Sequence, residues 1–273
     1  KNRPTKPFAL MCKNLEQIKK FALITTKEEE LLESKEAPIV ILTKSKIKNQ
    51  KSNISELIAP NISKIGCMLP YTALHILLFD ELDNPIIATS ANLGDEPIIT
   101  DSQILQQKLP FVEFILDNDR EIINAIDDSL VQVIADEIQI LRLARGYAPK
   151  VITLPYKLSQ KILSIGANQK STISLAFEDK LILSPHIGDL DSLKSFDYFL
   201  RTIQTFEKFY DFKPDIIVCD KHPNYQTTKW AEQFKIKNSE LKIIQVQHHL
   251  AHIYSVKAEF GLTKNYLGFS FDG

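Results

Sequence analysis

Apolar positions along this chain recur with two different periods, and the switches between them mark out the elements. In the first half, short β-rich runs alternate with helical patterns. Residues 37–44 (APIVILTK) form a continuous apolar run that predicts a buried strand. Residues 69–82 (LPYTALHILLFDEL) predict a helix entered at a proline, and 85–92 (PIIATSAN) a strand closing in small polar residues. The lysine-rich stretch 44–53 between the first two reads as a solvated loop. A helix over 102–108, a strand over 111–116 (FVEFIL), a polar turn at 117–121 and strands over 129–135 and 138–144 complete a mixed α/β unit. Gly146, Pro149 and Pro155 place a boundary near residue 153.

The second half is more regular. Residues 161–167 predict a strand, 171–188 two strands around a Glu178-Asp179 turn, and 192–210 a helix. In that helix Leu193, Phe196, Phe199, Leu200, Ile203, Phe206 and Tyr210 recur at spacings of three and four, with Asp191 or Ser192 as cap, so one face is buried. A strand over 215–220, a helix near 225–234, a strand over 241–247, a helix near 250–260 and a strand over 266–272 follow. Strands interleaved with helices after an initial hairpin imply a mixed sheet covered on both faces, with ligands at the strand ends.

Composition narrows the class. With 44% apolar and 25% charged residues in 273, the chain is globular rather than disordered or fibrous. A net charge of -1 removes any global steering toward nucleic acid or membrane. Cys12, Cys67 and Cys219 are too few and too dispersed for a disulfide framework, which favours a reducing, cytoplasmic setting. No apolar run reaches the length of a membrane span, and KNRPTKPF lacks the apolar core of a signal peptide. Both ends break into motif-like sequence, so the chain reads as a segment of something longer.

Candidate chemistry concentrates at Gln247-His248-His249-Leu250-Ala251-His252. His248 and His252, four apart, share a face if a helix opens here, and both rings can then reach one divalent metal. Asp272, ending the next strand pattern, supplies a third ligand suited to the same metals. His186 and His222 are either ligands or turn residues, and Cys219, inside an apolar strand, is packing. Gly166 through Thr172, including Lys170, forms a glycine turn that could receive phosphate oxygens on backbone N–H groups, opposed by Asp272-Gly273. In the first half Lys1, Arg3 and Lys6 crowd six residues and could neutralise phosphate or carboxylate oxygens. Ser90 and Asn92, two apart on extended backbone, point the same way. Arg120, Asp127-Asp128-Ser129, Arg142 and Arg145 either add polar groups around the same unit or are salt bridges and turns.

Ten motifs in one order then carry a resemblance. RPTKPFALM, GCMLPYTALHILL, ATSANLGDEPI, DREIINAIDDS and LRLARGYAP resemble the carbamoyl-adenylate-forming (YrdC-like) domain of the hydrogenase maturation carbamoyltransferases. GANQKSTISLA, SPHIGDLDSL, CDKHPNYQTT, VQHHLAHIYSVKAEFG and GFSFDG resemble the transferase (Kae1-like) domain that follows it in that family. The resemblance implies an α/β chain. Residues 1–153 would be the YrdC-like domain without its beginning, and 156–273 a partial lobe of the actin, hexokinase and heat-shock ATPase type.

It also implies activation of carbamate, ultimately from carbamoyl phosphate, with ATP and Mg2+ to carbamoyl-adenylate. The carbamoyl group would then pass to the C-terminal cysteine of a partner maturation protein. Lys1, Arg3, Lys6, Ser90 and Asn92 map to nucleotide or carbamoyl contacts, and Lys170, Asp272 and Gly273 to the second nucleotide site. His248, His252 and Asp272 map to a metal, zinc or iron. The pattern departs from the family at Leu250, Asn118, Ala125 and Ser184-Pro185-His186, of which Ala125 removes a contact near the Asp-Asp-Ser turn. Rival readings are a tRNA threonylcarbamoylation enzyme, which pairs the same domain types, and a nucleotide-sensing module without turnover.

Overall fold

The computed structural model describes residues 7–45, 54–94 and 96–272, and the chain divides into two compact units. The first comprises 7–94 and 98–148; the second comprises 149–272 together with 96–97.

The first unit runs β1 (Ala9–Met11), α1 (Leu15–Lys19), β2 (Ala22–Leu23), α2 (Thr26–Leu32), β3 (Ile39–Lys44), β4 (Lys64–Met68), α3 (Ala73–Glu81), β5 (Ile86–Ala88), α4 (Ser102–Lys108), β6 (Leu130–Ile134) and β7 (Glu137–Arg142). The strands make a mixed sheet in the order β5-β1-β4-β3-β6-β7, with β2 beside β3. β1 lies parallel to β4 in the register Ala9↔Gly66, and β3 antiparallel to β4 in the register Val40↔Cys67. Alternate residues of these central strands (Leu10, Val40, Leu42, Ile65) are buried with Ile18 of α1 and Leu32 of α2, which is the period-2 and period-3.6 complementarity that closes a layer. α2 starts on a reciprocal cap: the Thr25 hydroxyl accepts the Glu28 N–H, and the Glu28 carboxylate accepts the Thr25 N–H at 2.8 Å.

Cys12 and Cys67 belong to this core as free thiols, and the hydrogen bond between them, with burial, pushes Cys67 well above the ordinary thiol range. Arg145 is structural here. Its Nε donates to Asp128 at 2.8 Å and its Nη2 to the Ala37 carbonyl at 2.7 Å, while the guanidinium lies 3.6 Å over the Tyr71 ring. Gly146, at φ 86°, passes so close to the Glu36 backbone that a Cβ would sit 2.4 Å from its carbonyl oxygen.

In the second unit β8 (Lys150–Ser164), β9 (Ser174–Leu183), α5 (Leu193–Phe209), β10 (Ile216–Asp220), α6 (Gln226–Lys237), β11 (Lys242–Val246) and α7 (His248–Glu259) follow in order. The sheet order is β11-β10-β8-β9, with β8, β10 and β11 parallel and β9 antiparallel. α5 carries the expected apolar face except at Leu193, which in the first turn of the helix is 85% exposed. Ser192 caps it by accepting the Ser195 N–H, and Phe199, fully buried, meets Trp230 of α6 edge-on at 5.7 Å. Cys219 is buried among these side chains, as its place in an apolar strand implies.

Three expected strands differ. Residues 111–116 are irregular, with Phe114 and Leu116 exposed, and pair with no strand among the described residues. Residues 266–272 are likewise irregular. An alternating pattern becomes a strand only where a ladder partner takes its N–H and C=O groups, and among the described residues neither segment meets one. The span 171–188 holds one strand, not two. Glu178, at φ 51°, lies opposite Leu158 between two register shifts in which β8 carries the extra residues, so the bulges belong to β8 and the polar pair stays inside the continuous strand β9 and forms no turn between two strands. β8 itself begins at Lys150, eleven residues before the predicted strand.

Candidate metal centre

The site is assembled at the end of the parallel pair β10 and β11. Ile217 and Cys219 of β10 face the core, and Asp220 ends the strand opposite Val246 of β11. α7 begins two residues after Val246, so its first residue, His248, emerges beside Asp220, and His248 Nδ1 lies 2.7 Å from Asp220 Oδ2. Gln247 caps the helix, its side-chain oxygen accepting the Leu250 N–H at 2.8 Å. One turn on, His252 Nε2 comes within 3.2 Å of His248 Nε2, as four-residue helical spacing requires.

Asp272 reaches the pair by a different route from the one its apolar alternation suggests. After α7 the chain returns against the helix without forming a strand, and the approach is tightest at Gly268, where a Cβ would stand 2.6 Å from Ile253 Cγ2. Stacked Phe269 and Phe271 follow. Asp272 Oδ2 then lies 2.6 Å from His248 Nε2 and 3.1 Å from His252 Nε2.

The charges are mutually supporting. The hydrogen bond to Asp220, then that to Asp272, raises His248 above the ordinary imidazole value, and burial only partly opposes it. The same contacts from His248 and His252 hold Asp272 below the usual carboxylate range. The donor set fits a first-row divalent metal. Ligands at about 2.05 Å on a tetrahedron are separated by about 3.3 Å, and the three atoms here stand 2.6, 3.1 and 3.2 Å apart. His252 and Asp272 also border a crevice of about 540 Å³ between α7 and residues 262–272, which leaves room for a small ligand beside the triad.

The other expected site residues are distributed differently. Lys1, Arg3, Lys6 and Gly273 lie outside the described residues. Ser90 and Asn92 come together, though in a bend past the end of β5 and not on extended backbone: Ser90 Oγ donates to Asn92 Oδ1 at 2.8 Å. Lys170 sits at φ 48°, and its N–H donates to Asp189 Oδ1 at 2.6 Å. Asn168 in the same turn bonds Asp191 and the Gln226 N–H. That turn is thus held internally by carboxylates. His222 behaves as a turn residue, its ring stacked on Tyr225 and its Nδ1 accepting the Asn224 N–H. Asp220 was not among the candidates read from the sequence. Its only signal there was a carboxylate at the end of an apolar strand, a place shared by many turn residues.

Comparison with known proteins decides the family. Residues 157–259 match the HypF Kae1-like domain model, and 1–144 match the Sua5, YciO and YrdC model described as telomere recombination. A carbamoyltransferase HypF from Synechocystis sp. is 41% identical over 275 residues, covering 100% of this chain and 35% of the relative. The chain belongs to the HypF carbamoyltransferase family. A probable carbamoyltransferase HypF from Methanocaldococcus jannaschii is 36% identical, covering 99% of this chain and 35% of the relative. Among solved structures, full-length HypF in a phosphate- and nucleotide-bound form superposes with a TM-score of 0.90 at 38% identity, covering 99% of this chain and 42% of that one. HypF from T.kodakarensis superposes at 0.87 with 33% identity, covering 95% of this chain and 34% of that one. The architecture is therefore a YrdC-like unit followed by part of a Kae1-like lobe, and the chain spans about a third of the curated relatives' length.

Proposed function

We propose that this chain carries the two central steps of a HypF-type carbamoyl transfer in the cytoplasm: formation of carbamoyl-adenylate and delivery of its carbamoyl group to a cysteine thiolate. The observation that carries the reading is the convergence of His248, His252 and Asp272 in a unit that shares one chain with a YrdC-like unit. In the first step a carbamate oxygen attacks the α-phosphorus of ATP, and pyrophosphate leaves. Lys1, Arg3 and Lys6 would offset the repulsion between the two anions, with Mg2+ on the phosphates, and Ser90 and Asn92 would orient the carbamate. In the second step the C-terminal cysteine thiolate of a hydrogenase maturation partner attacks the carbamoyl carbon. A C–S bond forms, the bond to the phosphate oxygen breaks, and AMP leaves.

His248, His252 and Asp272 would hold a divalent metal, zinc or iron, which when bound polarises oxygens of the adenylate. His248 is steadied by Asp220, while Lys170 and Gly273 would lie on the nucleotide side. No protein nucleophile is required, in keeping with the burial of all three cysteines. Where the parent protein uses carbamoyl phosphate, its dephosphorylation belongs to a part of the relatives outside this chain.

The test separates the steps. In the full-length protein, H248A should lose metal and transfer to a cysteine peptide while carbamate-dependent ATP–pyrophosphate exchange persists. Transfer at the wild-type rate by metal-free H248A would refute the assignment of the triad. Absence of exchange in the wild type would refute the assignment of the first unit.

A further inference from the structure

The two histidines of the triad are not equivalent. The side chain of Asp220 is only 7% exposed, and both its oxygens are committed: Oδ1 accepts the His222 N–H at 2.8 Å and Oδ2 faces His248 Nδ1 at 2.7 Å. The carboxylate is fixed from behind as well, because Thr228 Oγ1 of α6 donates to the Asp220 carbonyl at 3.0 Å. For His252, by contrast, both ring contacts among the described residues are made through Nε2, and its side chain is 54% exposed.

We propose that Asp220 is the positioning residue of this centre, which holds the neutral His248 ring as its Nδ1–H tautomer and so keeps Nε2 free as the permanent ligand nitrogen. This rests on the metal reading of the triad. The physical reason is a contest between two carboxylates for one ring. His248 Nε2 also meets Asp272, but that side chain is 44% exposed and water can replace the imidazole there. Buried Asp220 has no such substitute, and losing the Nδ1 proton would leave a desolvated carboxylate oxygen facing a lone pair. The neutral ring therefore gives up its Nε2 proton, the one a metal must displace. A carboxylate behind the ring also makes the ligand more basic and prevents its rotation. The anchor reaches the sheet through β10, whereas His252 has only its helix and the exposed Asp272 carboxylate.

D220N is the informative substitution. The amide oxygen can keep the His222 contact, but an N–H2 group then faces Nδ1 and forces it to accept, which moves the ring proton to Nε2. Three measurements on this chain apply: circular dichroism for folding, Zn2+ and Co2+ titrations for affinity, and 15N shifts of the His248 ring in metal-free protein above its titration. We expect D220N to retain its fold and bind either metal about 10–100-fold more weakly, with wild type in the Nδ1–H form and D220N in the Nε2–H form. Unchanged affinity in folded D220N, or an Nε2–H ring in the wild type, would overturn the proposal. If D220N fails to fold, the wild-type tautomer alone decides. If the wild type binds neither metal, the metal reading fails, and the tautomer still reports on Asp220.

Discussion

Helices α5 and α7 lie in the same unit and each follows a strand of its sheet, yet they use their residues in opposite ways. α5 buries one face, with Phe199, Ile203 and Phe206 in the core and a reciprocal Ser192–Ser195 cap. α7 has no buried residue; Leu250, Tyr254 and Val256 are each roughly half exposed. What fixes α7 is polar and local: the Gln247 cap, the Asp220 contact at its first residue, and the Asp272 carboxylate across its first turn. The difference places the apolar packing and the imidazole–carboxylate cluster in separate helices. The apolar helix makes the sheet rigid, and the sheet's end, not helix burial, aims the imidazoles.

The comparison can be broken most severely through α5. Phe199→Ala should lower the unfolding free energy of the chain by about 3–5 kcal/mol, read from urea denaturation. Its metal affinity should stay at the wild-type value under conditions where the variant remains folded. The next largest effect belongs to the proposed ligands: His252→Ala should reduce Zn2+ affinity by more than about 100-fold, beyond the range of an outer partner, with an unfolding midpoint within experimental error of wild type. A large stability loss in metal-free H252A would mean that α7 is packed in a way its exposure denies.

A smaller effect distinguishes the free from the loaded triad by pH. His248 is raised above its ordinary value, so its contribution to the stability of metal-free protein is fully present below about pH 6.5 and is lost as pH rises through the raised value. Asp272, lowered, contributes above about pH 4, and that contribution is lost as pH falls through its folded value. Metal affinity has the opposite dependence on His248: it falls as pH drops through the raised value, because protons compete for Nε2. Isothermal titrations across this range should show metal binding weakening where the metal-free protein gains stability. Parallel trends would contradict the shared use of Nε2. The smallest effect sharpens the other side of the comparison: Val256→Ala, on the exposed face of α7, should change stability by less than about 0.5 kcal/mol in denaturation experiments.

Among the described residues no helix is long and apolar enough to cross a membrane. How much of this was legible in the sequence depended on whether the signal was local. The period of α5 is local, and so is the four-residue spacing that places His248 and His252 on one side of α7. Those readings hold in the structure, as does the burial of Cys219. β1, β2 and β4, with the short α1 and α2, fall below the length at which periodicity speaks, and they are defined by their neighbours in the sheet. The patterns at 111–116 and 266–272 alternate as strands do, but alternation states only which side chains share a face. It says nothing about whether a partner edge is near.

For the centre itself, residue types and spacing along the chain determined the two imidazoles, because helical geometry is set by the backbone of a single segment. They also named Asp272, through its motif. That Asp272 arrives on irregular chain passing over Ile253 at Gly268, and that Asp220, 28 residues before His248, stands behind its ring, were decided by the tertiary structure alone. A parallel β10–β11 pair brings those positions together at one sheet end. No local pattern encodes that proximity, because it depends on the register between strands separated by an entire helix.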